Sequence, residues 1–314
     1  MRFYGNEICC GSYACLNLMQ DPQIDLALFE VSTSTPFGIK HIRNSNLDRL
    51  LTTFNDPNKG LDFAIKAFGY DVEREDFAYS HEAISVLISW LSEDTPVLLG
   101  PLDMGELYYY PAASISRGMD HYIVAVNMLR DSILCMDSEG FVGFQVKLDA
   151  LQGILSVKNI PEANNHISLR RAIKKRDWSK HKVLRTAFVH AAENIVTAEA
   201  CGQGSNAIMK CKEFLEDYNF YRWKLPFMYD VQYLKQRKLL LIWLLEEMQN
   251  VGQASREYYE KGIRLAEKQS ELLSQVYSQL YKGFVDWLSL QEVARIENKL
   301  ACWFASKRYA ELLE

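Results

Sequence analysis

The spacing of hydrophobic residues changes character part-way along this 314-residue chain, and that change limits what it can fold into. From about Ser168 onward, apolar residues recur at helical spacing in Leu184 to Ala200, Asn206 to Tyr221, Tyr229 to Asn250, Ala254 to Tyr281 and Ser289 to Leu313. Gly202-Gln203-Gly204, Lys224-Leu225-Pro226 and Val251-Gly252 punctuate these segments. Before that point the texture is mixed. Ser12 to Met19, Asn46 to Phe54 and Leu61 to Phe68 read as short helices, and Ser80 reads as the N-cap of an amphipathic helix carrying Ile84, Leu87, Ile88 and Leu91. Pro96 to Gly100, His121 to Val126, Ser132 to Asp137 and Val142 to Leu148 are β-branched and aromatic runs separated by turn residues. Helices first and antiparallel strands later imply an α+β fold rather than a wound parallel sheet. The length suits two domains. The expected division is 1–160, an α+β domain, and 161–314, an all-helical domain, with the changeover near residues 158–168.

The formal net charge of −5 argues against a general nucleic-acid binder, which is normally basic. Charge is unevenly placed: residues 170–185 hold eight basic side chains and one acid, Asp177, so the segment carries +7 and the remainder −12. Such a run is either a solvated face or linker, or a docking patch for an acidic partner. The seven cysteines include no CxxC and no Cys/His grouping at zinc-finger spacing, so neither a disulfide framework nor a metal site is expected. Residues 1–7 lack the apolar stretch of a secretion signal. The longest apolar run, Leu239 to Leu245, has seven residues against the roughly 20 that span a bilayer. A reducing cytoplasm with free thiols is the expected compartment, with no membrane and no nucleic acid as partner.

Three cysteines crowd the N-terminus. Cys10-Gly11-Ser12 opens an apolar helical run, where the positive end of the helix dipole would lower a thiol pKa toward a reactive thiolate. Gly11 admits close backbone approach, and helix-start N–H groups can serve an oxyanion. Cys15 lies inside the helix and reads as packing, while Cys9 competes with Cys10 for the nucleophile role. Downstream, a hairpin centred on Leu129 would set His121 directly opposite Asp137, with Cβ atoms about 5 Å apart. A carboxylate that orients an imidazole is the second half of a Cys–His–Asp arrangement. The alternative is an edge histidine and a strand-end aspartate. A slip of one residue would put the two on opposite faces. His41, His81, His166, His181 and His190 have no partner at useful spacing.

These residues resemble a papain-like cysteine fold of the bacteriocin-processing-peptidase kind. Over nearly its whole length the chain is similar to the butirosin biosynthesis protein H family. The resemblance rests on Cys10-Gly11-Ser12, Phe29-Glu30, Thr35 to Ile39, Pro96 to Gly100, Asp103, His121 to Val124, Asp137 and a helical second half. It implies a papain-like catalytic domain at 1–160 followed by the helical domain. It further implies an acyltransferase of antibiotic biosynthesis. Such an enzyme moves a γ-glutamyl-aminobutyryl-like group from the phosphopantetheine thioester of an acyl-carrier protein to an amine of an aminoglycoside, with no further cofactor. Cys10 would be the nucleophile, His121 the base and Asp137 its orienter. Papain-like enzymes place a Gln a few residues before the nucleophile. Tyr4 stands at that spacing here, which leaves Asn6, with Gly11, as oxyanion candidates. Asp103, Tyr108 and Tyr109 suit a polycationic sugar through ion pairing and stacking, or else a loop carboxylate beside core tyrosines. Arg170, Arg171, Lys174 and Lys175 would dock the acidic carrier. A thiol hydrolase, whether peptidase or amidase, and a catalytically idle binding module are the competing expectations.

Overall fold

The computed structural model describes residues 9–41, 50–111, 113–157, 160, 166–217, 220–251 and 255–306. In chain order the elements are α1 (Cys10–Met19), α2 (Leu26–Ser32), β1 (Ile39–His41), β2 (Leu51–Thr53), α3 (Pro57–Ala67), β3 (Tyr70–Phe77), α4 (Ser80–Ser92) and β4 (Val97–Asp103). They continue with β5 (Asp120–Met128), β6 (Ser132–Asp137), β7 (Val142–Lys147), α5 (Leu151–Ile154) and β8 (Ile167–Lys174). The last five are α6 (Lys180–Ala200), α7 (Ser205–Asp217), α8 (Phe220–Val251), α9 (Arg256–Tyr281) and α10 (Trp287–Ala305). The fold is α+β with a helical C-terminal region. It forms two compact units: residues 1–29 with 61–177, and residues 30–60 with 178–314.

The first unit is built on a six-stranded antiparallel sheet in the order β3-β8-β4-β5-β6-β7. Helix α4 buries Ala83, Leu87, Trp90 and Leu91, spaced i, i+4, i+7 and i+8 as one helical face requires. They pack with Val97, Leu99, Ile123, Ala125, Ile133 and Cys135 of the sheet. Ile84, expected in that stripe, packs at its margin. The helix is capped by Tyr79 rather than Ser80, without a side-chain capping bond.

Strand β8 lies between β3 and β4, so the sheet unit runs to residue 177 and the expected boundary at 160 falls before one of its central strands. Neither β3 nor β8 was expected. Both are rich in charge, and the sheet supplies partners for that charge. Arg171 lies opposite Glu73 and bonds it at 2.6 Å, with Glu93 at 2.6 Å on its other side. Arg170 and Arg74 also lie directly opposite each other, a like-charge pairing that would destabilise on its own. Asp62 resolves it, accepting from Arg170 Nε at 2.6 Å and from Arg74 Nη1 at 2.9 Å.

In the second unit, β1 and β2 form a small antiparallel sheet. Residues 30–60 belong with the helices because their backbone groups are satisfied there. Asp230 accepts from Leu50 N and Leu51 N, Asn194 donates to Ser34 O, and Gly204 N donates to Ile39 O. The segment Leu51–Thr53, expected to be helical, is strand β2, and Asn46 to Arg49 lie outside the described residues. Pro226, expected to separate two helices, lies inside α8. Lys238 of α8 forms a buried 2.6 Å pair with Glu297 of α10, to which Gln269 of α9 also donates at 2.8 Å.

Candidate active site

Helix α1 begins at Cys10, with Cys9 at the capping position. The Cys10 side chain is half-buried, and its Sγ lies 4.0 Å from the backbone oxygen of Asp120, the residue just before His121. The thiol pKa is well above its ordinary value. Burial is the largest cause, and the charges of Asp120, Asp137 and Glu139 add to it, while the Gly11 N–H works in the opposite direction. The helix start therefore does not produce a resting thiolate, contrary to expectation: one favourable amide is outweighed by desolvation and three carboxylates.

His121 and Asp137 are both buried, and His121 Nε2 lies 2.7 Å from Asp137 Oδ1. Their register differs from the expected one. Ile123, not His121, is the direct partner of Asp137, because β5 and β6 run further into their turn, with Met128 paired to Ile133 and a bulge between Ala125 and Asn127. The displacement at His121 is two residues, and alternate residues of a strand share a face. The two side chains thus remain on one face as diagonal neighbours, within reach of each other. With Nε2 turned to the carboxylate, Nδ1 is the imidazole nitrogen left for proton transfer.

Asp137 also accepts from Glu139 N at 2.9 Å and from the Tyr109 hydroxyl at 2.7 Å. Burial alone would raise its pKa, but the bond and charge of His121, the Glu139 N–H and the Tyr109 hydroxyl outweigh it, and the carboxyl is held below its usual range. Tyr122, the neighbour of His121, has its ring between two glycines. A Cβ on Gly11 would lie 3.4 Å from ring atom Cδ2, and one on Gly100 would lie 2.3 Å from Cδ1. Gly100 also has φ +151, so a side chain there is both blocked and strained. The first turn of α1 is thereby seated against the strand that carries His121.

No protein-family model matches the sequence. The chain is similar to the uncharacterized protein YobF of Bacillus subtilis (strain 168), at 30% identity over 136 residues. The match covers 43% of this chain and 43% of that protein, so it spans less than half of either.

The other expected site residues divide sharply. Asn6 lies outside the described residues. Asp103 is buried, and its Oδ1 accepts from Gly105 N and Gly118 N, both at 2.8 Å. It closes the intervening loop and is not presented to a cationic sugar. Tyr108 is exposed, its hydroxyl 3.4 Å from Gln145 O, whereas Tyr109 turns inward onto Asp137. Of the expected docking residues, Arg170 is fully buried against Asp62 and Gly100 O. Arg171 is held between two glutamates, and Lys174 bonds Asp21 at 3.0 Å. Of the four, Lys175 alone is exposed and forms no ion pair among the described residues. Three of the eight basic side chains of the run, Arg170, Arg171 and Lys174, lie in strand β8 and are paired there. The role of Tyr109 was missed because Tyr108-Tyr109-Tyr110 carries no internal signal saying which ring turns inward.

Proposed function

We propose that this protein is a cysteine-dependent acyltransferase that carries an acyl group on Cys10 between a carrier-protein thioester and an amine. The observation that carries the reading is the buried 2.7 Å His121–Asp137 contact on β5, the strand whose first residue meets the Cys10 thiol. Because the thiol rests protonated, His121 Nδ1 takes its proton as sulfur attacks the thioester carbonyl. The bond to the phosphopantetheine sulfur breaks, and that sulfur leaves with the proton from the imidazolium. The incoming amine then attacks the Cys10 thioester, His121 accepts the amine proton, and the Cys10 sulfur departs and is reprotonated. Aminolysis of a thioester is downhill, so this sequence needs neither ATP nor a metal. The Gly11 N–H, which faces the sulfur, is the oxyanion donor this reading uses.

The resemblance to the butirosin biosynthesis protein H family supports the finer form: a γ-glutamyl-aminobutyryl-like donor on an acyl-carrier protein, an aminoglycoside-type acceptor, and a cytoplasmic role in antibiotic biosynthesis. Among the described residues no helix is long and apolar enough to cross a membrane. The same triad with water in place of the amine is a thiol hydrolase. The half-buried Cys10 favours transfer, since sheltering the thioester limits hydrolysis.

Intact mass spectrometry after mixing the protein with an acylated carrier protein tests the reading. We expect one acyl mass added to the wild type and none to Cys10→Ala, with the adduct discharged by added amine faster than by water. Discharge that ignores the amine would assign a hydrolase. An inert wild type that still binds the carrier would assign an idle binding module.

A further inference from the structure

We propose that Tyr109 is a positioning residue for the candidate active site, acting through Asp137 to fix His121; this rests on the catalytic reading of Cys10 and His121. Asp137 has two oxygens and they face different ways. Oδ1 takes His121 Nε2 and Glu139 N, and Oδ2 takes the Tyr109 hydroxyl at 2.7 Å. With both oxygens bonded the carboxylate cannot rotate about its Cβ–Cγ bond, so Oδ1 keeps its place beside the imidazole. A donor to the far oxygen also helps keep the buried carboxyl ionised, and an ionised carboxylate is what sets the tautomer of His121.

The hydroxyl is itself held in place. The Tyr109 ring packs at 4.2 Å from Phe144, 5.3 Å from Phe141 and 5.8 Å from Tyr108, centroid to centroid. Its backbone lies in the loop that Asp103 closes by accepting from Gly105 N and Gly118 N, with Met104 N donating to Met119 O across the same opening. Asp103 thus acts at one remove, by fixing the loop that presents Tyr109.

The titratable groups around Asp137 come from several elements. His121 of β5 and Tyr109 bond it. Burial pushes up the thiols of Cys10 on α1 and Cys135 on β6 and the phenol of Tyr110; the charge of Asp137 adds to each, and Glu139 adds negative charge at Tyr110 and Cys10. Against this excess of negative charge, the donors to Asp137 set how readily it takes up a proton.

The test follows acylation of Cys10 by S-acetyl-N-acetylcysteamine, read by intact mass across pH, in the full chain. Tyr109→Phe keeps the ring and removes the hydroxyl. We expect its acylation rate to fall about tenfold, as befits one lost hydrogen bond to a charged group. The acid limb of the pH profile should move up by about 1 on the pH scale, because Asp137, short of one donor, is protonated more easily. In an Asp137→Asn background, adding Tyr109→Phe should cost no more than about twofold, since the two changes remove one linkage. A Tyr109→Phe profile superimposable on wild type, or full additivity with Asp137→Asn, would overturn the role of Tyr109 alone. Failure of the wild type to be acylated would instead remove the catalytic reading and this role with it. If Tyr109→Phe does not fold, the wild type still decides. A downfield, slowly exchanging Tyr109 hydroxyl proton that is lost in Asp137→Asn supports the linkage, and its absence from wild type refutes it.

Discussion

Cys10 is the residue at which sequence and surroundings disagree most usefully. A cysteine opening a helix suggests a depressed pKa, yet burial and the charges of Asp120, Asp137 and Glu139 drive it upward. The resting site is therefore a thiol awaiting a base, not a stored thiolate. We expect the Cys10 peptide to be alkylated slowly by iodoacetamide at neutral pH, with the rate climbing only above the ordinary thiol value of about 8.5. The exposed Cys201 and Cys302 should react well before it, and peptide mapping separates them. Fast labelling of Cys10 at pH 7 would mean that the carboxylates are screened or protonated. Cys10, His121 and Asp137 were all legible as candidates, since each sits at or next to the end of an element with a clear hydrophobic period. The thiol's environment was not, because Asp120 and Glu139 become its neighbours only when β5 and β6 lie beside α1.

Among the elements, β3 and β8 were illegible. A strand is read from alternation of apolar and polar residues, and Tyr70–Phe77 and Ile167–Lys174 bury that signal under charge. Their charges find partners that only tertiary structure supplies: Glu73 across the strands for Arg171, and Asp62 of helix α3 for the fully buried Arg170. Asp62→Ala takes from the buried Arg170 its 2.6 Å carboxylate partner, while Arg74 keeps its bond to Asp76 at 2.8 Å. We expect it to cost about 3–5 kcal/mol in urea unfolding. Arg170→Met removes the buried charge but leaves Asp62 its bond to Arg74, and should cost clearly less. The reverse ranking would mean that the guanidinium's bond to Gly100 O, not the ion pair, holds β8. Helix α4 and strands β4 to β7 were legible because their patterns are regular. The β5–β6 register was misplaced by two residues, since the turn is centred between Arg130 and Asp131 rather than on Leu129, and a bulge follows between Ala125 and Asn127. The even displacement preserved the shared face of His121 and Asp137.

At the scale of the whole molecule, the change from mixed to helical periodicity correctly separated a sheet unit from a helical region, but the chain does not obey a single cut. Residues 30–60 join the helical unit through backbone donors to Asp230 and Gln203 and through the Asn194 bond to Ser34 O, contacts far apart in sequence. The +7 run at 170–185, which suggested a docking surface, is shared between the two units, and three of its eight basic side chains, Arg170, Arg171 and Lys174, are paired within the sheet unit. The candidate residues lie together in the sheet unit, which holds Cys10, His121, Asp137 and Tyr109. Whether they work together is tested most directly by acylating wild type and His121→Ala with the same loaded carrier and mapping the acylated peptide. A single adduct on Cys10 in the wild type, formed roughly 10²–10⁴-fold more slowly without the imidazole, is the expected result. An adduct on Cys9, or a rate indifferent to His121, would contradict it.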